Sequence, residues 1–335
     1  MARILVYEPA FRRIEQRLPP SADGQDMLLL RRDGTIWHGD RELSRDEAQP
    51  EIGWTSTDLF DDPPAMRAYF IALLKSARLM WLQSGAAGFD NQTLVELVRK
   101  GARLTNNHSQ GAPMADYVLW GVLDHLQRGP ERRAAQAGRR WEEHPFTEMG
   151  DTRWLLIGFG AIGQAVARRA RAFGAHVTGV RRTPGAHELA DAMAAPETVK
   201  DLLSASDVVV LSTPLNPETA HMVDADFLER MKPGSVLANV GRGGLVDEAA
   251  LLAALDAGAP AHALLDVFET EPLPADSPFW SHPRVSLTPH ASALGSGVNA
   301  RTDALFLENL GRFLDGRPLL NAVDSAEVLA NAKGG

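Results

Sequence analysis

The chain has 335 residues, 44% of them hydrophobic and 23% charged, with a formal net charge of −9 and no cysteine. Its length points to two domains, and its near-average composition excludes a disordered chain. The lack of cysteine excludes a disulfide framework, a thiolate metal site and a cysteine nucleophile, while the negative charge argues against a nucleic-acid partner.

The opening residues, MARILVYEPA, lack the long apolar stretch of a signal peptide, and no apolar run reaches the roughly 20 residues of a membrane span. A cytoplasmic chain with no membrane partner is expected. Short apolar runs alternate with longer amphipathic stretches, which is the pattern of parallel sheets with crossover helices. Residues 4–7, 52–55, 79–83 and 103–105 read as strands, with helices at 66–75 and 91–100. A helical pattern at 113–127 and a polar, arginine-rich stretch at 130–140 follow. A more regular series then places strands at 154–157, 176–180, 207–212, 235–240, 263–267 and 285–287. Helices at 162–173, 226–231 and 248–255 fill its gaps. A last helix, 299–314, has no partner in that series, so the C-terminus is expected to return to the first domain.

Gly158-Phe159-Gly160-Ala161-Ile162-Gly163 is a G-x-G-x-x-G that directly follows an apolar strand and opens an amphipathic helix. In that context it reads as a dinucleotide fingerprint. Gly158 permits the tight turn, Gly160 lets a pyrophosphate approach the backbone, and Gly163 allows close helix–strand packing. The N–H groups of Ala161 and Ile162 open the helix whose positive end would face the phosphates. An acidic residue should end the next strand if a free ribose 2′-hydroxyl is bound. None occurs from Ala175 to His187, where Arg181-Arg182-Thr183 follows Val180 instead. Two guanidiniums and a hydroxyl suit a 2′-phosphate, so NADP(H) is favoured over NAD(H). The alternative is that the pair only reflects abundant arginine, since just five of the 34 Lys and Arg residues are lysine.

Three further segments end strands with chemistry-bearing side chains. Asn239-Val240-Gly241-Arg242-Gly243-Gly244 offers an arginine, Asp266-Val267-Phe268-Glu269-Thr270-Glu271-Pro272 carboxylates, and Thr288-Pro289-His290 a histidine. Ligands of open α/β sheets bind at the carboxyl ends of strands, so all three can converge on one crevice. The other histidines show no metal-ligand spacing, and no metal is expected.

Taken in order with the fingerprint, these segments resemble the D-isomer-specific 2-hydroxyacid dehydrogenase family, over about residues 77–318. Within it, Arg181-Arg182-Thr183 is most similar to the glyoxylate and hydroxypyruvate reductases that use NADPH. The resemblance implies two doubly wound parallel-sheet α/β domains: a Rossmann cofactor domain (107–291) inserted in a flavodoxin-like substrate domain (1–106 and 292–335). It implies His290 as general acid and base, Glu271 as the carboxylate orienting it, and Arg242 as the fork holding the substrate carboxylate. Backbone N–H groups of Gly85, Ala86, Ala87 and Gly88 would cup that carboxylate too. Thr213, Pro214, Val240 and Asp266 would make ribose- and nicotinamide-side contacts. The activity implied is hydride transfer between NADP(H) and a small 2-oxo or 2-hydroxy acid, in a homodimer. Nothing in the residues separates glyoxylate from hydroxypyruvate. A dinucleotide-sensing co-repressor of the same fold is the alternative, which turnover of any 2-oxo acid would exclude.

Overall fold

Ile4-Leu5-Val6-Tyr7 alternates its side chains between two faces, as any strand must, and both faces are covered. The computed structural model describes residues 1–88 and 91–331. It divides into two units: Met1–Ser109 with the chain from Ser296 onward, and Gln110–Gly295.

In the first unit β1 (Arg3–Tyr7), β2 (Asp26–Leu30), β3 (Ile36–His38), β4 (Arg41–Leu43), β5 (Ile52–Trp54), β6 (Trp81–Gln83) and β7 (Arg103–Thr105) form one sheet. Its order is β4-β3-β2-β1-β5-β6-β7. The five strands from β2 to β7 in that order are parallel, with Leu5 paired to Leu28 on one side and Gly53 on the other. Counted alone, those five run 2-1-3-4-5, the flavodoxin-like order. The antiparallel extension β2-β3-β4 at the edge has no counterpart among the expected strands. Strands of three residues are too short to show a period.

Leu5 and Tyr7 point into a core with Leu28, Tyr69, Leu73 and Leu94. Ile4 and Val6 point the other way, toward Trp54, Trp81, Phe306 and Leu310. Phe306 and Leu310 belong to helix Val298–Leu314, the expected returning helix. Phe306 stacks on Trp54 with ring centroids 4.3 Å apart, and Trp81 lies between Phe306 and Phe313. Burying a ring that size stabilises by about 2–3 kcal/mol, which ties a segment far along the chain to the first sheet. Helix Pro63–Lys75 starts where Asp62 accepts the Ala65 N–H and Pro63 takes the first position, so local chemistry sets its boundary.

The second unit is parallel throughout. β8 (Arg153–Ile157), β9 (His176–Val180), β10 (Ala192–Ala194), β11 (Val208–Leu211), β12 (Val236–Asn239), β13 (His262–Leu265) and β14 (Val285–Leu287) order as β10-β9-β8-β11-β12-β13-β14. The chain winds outward from β8 one way and from β11 the other, so the order reverses between them, where such sheets bind ligands. Helices Gly111–Leu126 and Ala161–Ala172 cover one face. Helices Ala225–Glu229 and Glu248–Ala257 cover the other. Val208–Leu211 is accordingly buried at every position, a run of apolar residues with no polar alternation. The arginine-rich stretch is helical over Gly129–Ala137, opened by Pro130 near its start. Arg133 forks onto Asp124 there at 2.6 and 2.8 Å. Among the described residues no helix is long and apolar enough to cross a membrane.

Candidate active site

The glycine turn sits at the switch point. Gly158, just after β8, has φ +98°, a conformation that side chains resist, and a Cβ there would lie 2.6 Å from the Ser212 carbonyl carbon. Ser212 Oγ, just after β11, donates to Gly158 O at 2.8 Å and locks the two strand ends together. A Cβ on Gly163 would overlap Gly158 O, whereas one on Gly160 would meet nothing within 4 Å. The three glycines therefore answer to three needs: a turn, an open approach and a close packing contact. Helix Ala161–Ala172 starts at Gly160 with no side-chain cap. As at any helix start, its first N–H groups, Ala161 and Ile162 included, have no acceptor within the helix. An uncapped helix end beside open space is a cradle for an anion, and a dinucleotide pyrophosphate fits it.

The other residues expected to contact a cofactor lie just beyond β9, β11 and β12. Arg181 is half-buried and donates from Nη2 to Gly185 O at 3.2 Å, while Arg182 and Thr183 are exposed at the end of β9. Thr213 and Pro214 begin a tight loop closed by Thr219 Oγ1, which donates to Pro214 O at 2.8 Å. Val240 is buried, one residue beyond β12.

The structure brings His290 and Glu271 together, with His290 Nδ1 2.8 Å from Glu271 Oε2. With Nδ1 held by a carboxylate, Nε2 is the ring atom left to exchange a proton. The His290 side chain is half exposed, so that atom is within reach of a ligand. Glu271 is fixed through its other oxygen, which accepts the Phe268 N–H at 3.0 Å. Histidine 290 has φ +52°, a left-handed conformation that a non-glycine residue holds only when its surroundings enforce it. Asp266 does the enforcing. It is 1% exposed, and its carboxylate accepts from Ala291 N (2.8 Å), Thr288 Oγ1 (2.6 Å), Ser292 N and Ser292 Oγ. The His290 N–H donates to the Asp266 carbonyl at 2.8 Å. Both oxygens thus engage the 288–292 turn; expected as a cofactor contact, Asp266 here holds the histidine in place.

Arg242 is half-buried after β12, its Nη1 donating to Gly241 O at 2.9 Å. Buried Asn239, to which the sequence reading gave no role, shapes that loop by accepting the Gly241 N–H and donating to Arg242 O. A Cβ on Gly243 would overlap the Phe268 carbonyl, so the arginine loop and the Glu271 loop pass back to back.

In the first unit, the 84–88 loop departs from the expectation in detail. The Gly85 N–H already donates to Thr55 Oγ1 at 2.9 Å and the Ala86 N–H to Ser84 Oγ at 3.1 Å. Ala87 and Gly88 remain as the donors turned to no acceptor among the described residues. Asn106 and Asn107 brace the loop, through Ala87 O and Gly85 O. Among the described residues no group of three or more His, Cys, Asp or Glu could hold a metal ion.

Residues 119–292 match the family model described as the NAD-binding domain of D-isomer-specific 2-hydroxyacid dehydrogenases. A glyoxylate reductase of Thermococcus gammatolerans is 33% identical over 306 residues, covering 88% of this chain and 90% of its own. A D-isomer-specific 2-hydroxyacid dehydrogenase from Xanthobacter autotrophicus, solved with NADPH and MES, superposes with a TM-score of 0.77 at 29% identity, covering 98% of this chain and 100% of its own. An NADPH-dependent glyoxylate/hydroxypyruvate reductase from Sinorhizobium meliloti, solved with NADP and sulfate, gives 0.76 at 26% identity, covering 97% and 98%.

Proposed function

The chain belongs to the D-isomer-specific 2-hydroxyacid dehydrogenase family, and from that premise we propose that it reduces glyoxylate or hydroxypyruvate with NADPH. Hydride transfer between NAD(P)H and a 2-oxo acid is the family's reaction and this chain's. The single observation that carries the assignment of roles is the Glu271–His290 contact at 2.8 Å, with Glu271 fixed by the Phe268 N–H and the His290 turn by Asp266.

When bound, the reduced nicotinamide supplies the hydride. His290 delivers a proton from Nε2 to the carbonyl oxygen as negative charge develops there, and Glu271 stabilises the imidazolium that does so. Arg242 forks onto the substrate carboxylate and adds positive charge near the carbonyl.

NADPH over NADH rests on the end of β9. No Asp or Glu occurs from Ala175 to His187 to repel a 2′-phosphate, and Arg182 and Thr183 are exposed just beyond the strand. The similar structures solved with NADPH and NADP point the same way. We place the protein in the cytoplasm as a homodimer. The dimer is supported by Trp141 and Phe146, 98% and 48% exposed on the 129–148 arm, and by Trp120, 56% exposed on helix Gly111–Leu126, exposed rings that a second copy would cover. Initial rates with NADPH and NADH in parallel test the cofactor assignment. A kcat/KM at least tenfold higher with NADPH supports it, and parity or an NADH preference overturns it.

A further inference from the structure

Glu248 opens helix Glu248–Ala257, where a carboxylate is ordinary: it suits the positive helix end, and neighbouring Asp247 already caps the helix by accepting the Ala250 N–H at 3.0 Å. Its side chain does something else. Glu248 Oε1 reaches across to the loop after β13 and accepts the Glu269 N–H at 2.8 Å. The preceding N–H, of Phe268, is the one that fixes Glu271 at 3.0 Å, and Glu271 holds His290. Two consecutive backbone donors of one loop are therefore taken by two carboxylates. One belongs to the acid–base pair, and the other comes from a different strand connection.

The anchor is set where the arginine loop and the Glu271 loop touch. Gly243, next to Arg242, lies against the Phe268 carbonyl so closely that any side chain would collide. Glu248 follows Arg242 by six residues and ends the same connection. The latch thus ties the connection that carries Arg242 to the loop that carries Glu271. Burial pushes the Glu248 carboxyl above the usual carboxylate range; the Glu269 N–H bond works against that, and the Glu269 charge adds to it. A carboxylate kept half-buried against a like charge is retained for a contact, because an exposed helix start would serve the helix equally well. His221 Nε2, 3.0 Å from Glu269 Oε1, gives that loop a second and more exposed tie.

We propose that Glu248 is a positioning residue for catalysis: by holding the Glu269 N–H it sets the Phe268–Glu271 segment, and through it His290, in register with Arg242. It touches neither the reacting atoms nor the dinucleotide cradle. The proposal rests on the hydride-transfer reading for its kinetic consequence, but its geometric content does not.

The test compares Glu248→Ala, Glu248→Asp and Glu248→Gln in the full chain. The alanine lacks the acceptor, the aspartate is one methylene too short to reach, and the glutamine keeps an oxygen that can accept the same N–H. Expected is a fall in kcat of at least tenfold for Ala and Asp, with the NADPH dissociation constant and the 2-oxo acid KM within threefold, and near wild-type kcat for Gln. Loss of kcat in Gln equal to that in Ala overturns the proposal, as does a wild-type kcat in Ala or Asp. A fall in kcat accompanied by an equal loss of cofactor affinity also overturns it, since a merely structural role predicts that. If Ala does not fold, Asp and Gln decide the matter. The His290 ring C–H resonances provide the reading independent of turnover. They should move in Ala and Asp but stay in place in Gln, and this holds whether or not wild-type protein turns over any 2-oxo acid.

Discussion

Asp266→Asn is nearly isosteric and removes only the charge and one acceptor. In the native turn, the carboxylate takes the Thr288 hydroxyl, the Ala291 and Ser292 N–H groups and the Ser292 hydroxyl, all from the segment that carries His290. An asparagine can still accept through its one oxygen, but its NH2 group then faces the Ser292 N–H that the native Oδ2 accepts at 3.1 Å. Bonds to a charged group contribute about 1.5–3 kcal/mol each and neutral ones about half as much. Weakening the set and setting two donors face to face should cost about 2–4 kcal/mol. For a unit of this size that is a fall in Tm of roughly 5–15 °C. The contacts that enforce the left-handed backbone of His290 also weaken, and a displacement approaching 1 Å costs about a hundredfold in rate. The expected outcome by differential scanning calorimetry and steady-state kinetics is the lower Tm together with a kcat reduced about 10- to 100-fold. A lower Tm with unchanged kcat would refute the positioning argument, and no change in either would refute the hydrogen-bond argument as well.

The fingerprint glycines should separate by assay. Gly163→Ala forces a Cβ onto Gly158 O and should destabilise the unit by at least about 2 kcal/mol. Gly160→Ala meets open space, so it should leave Tm within about 2 °C while weakening NADPH binding measured by fluorescence titration. Arg182→Ala should weaken NADPH about 10- to 100-fold, the loss of one charge-assisted phosphate contact, and leave NADH within about threefold. Distant from the site, buried His262 stacks on His125 with centroids 4.9 Å apart, and burial lowers its pKa from 6.5 to about 4, with the His125 charge pushing the same way. The fold favours the neutral ring, so this stability is complete above pH 6.5 and is lost as pH falls toward 4. It amounts to about 3 kcal/mol. In thermal melts over that range, His262→Asn should flatten the pH dependence by about one proton, and an unchanged slope would count against it.

Much of the second unit was legible because its signals are local. Gly158, Gly160 and Gly163 show their distinct needs in spacing alone, and β11 shows its double burial as an unbroken apolar run. The pairing of Glu271 with His290 was legible only through several motifs read in order, since each residue alone fits a solvated turn. What escaped notice depended on contacts distant in sequence. Glu248 looks like any acidic residue in a first helical turn, and its reach to Glu269 depends on two strand ends lying side by side. Asp266 carries no mark that its oxygens are fully engaged by residues 22 to 26 positions later. Likewise, the glycine-rich 84–88 loop reads as a row of equal donors. Thr55 and Ser84 remove two of them, and only the folded loop shows that. The β3–β4 hairpin was missed for a different reason, because its three-residue strands are shorter than one clear alternation.

The most direct measurement is loss of the reduced-nicotinamide absorbance when purified protein meets NADPH and glyoxylate or hydroxypyruvate, run beside His290→Ala. The account predicts turnover by the native chain and a fall of about a hundred- to ten-thousandfold in the variant, the usual reach of general acid catalysis, with NADPH binding retained. A native chain that binds NADPH yet turns over no 2-oxo acid, or a variant that keeps native kcat, would contradict it.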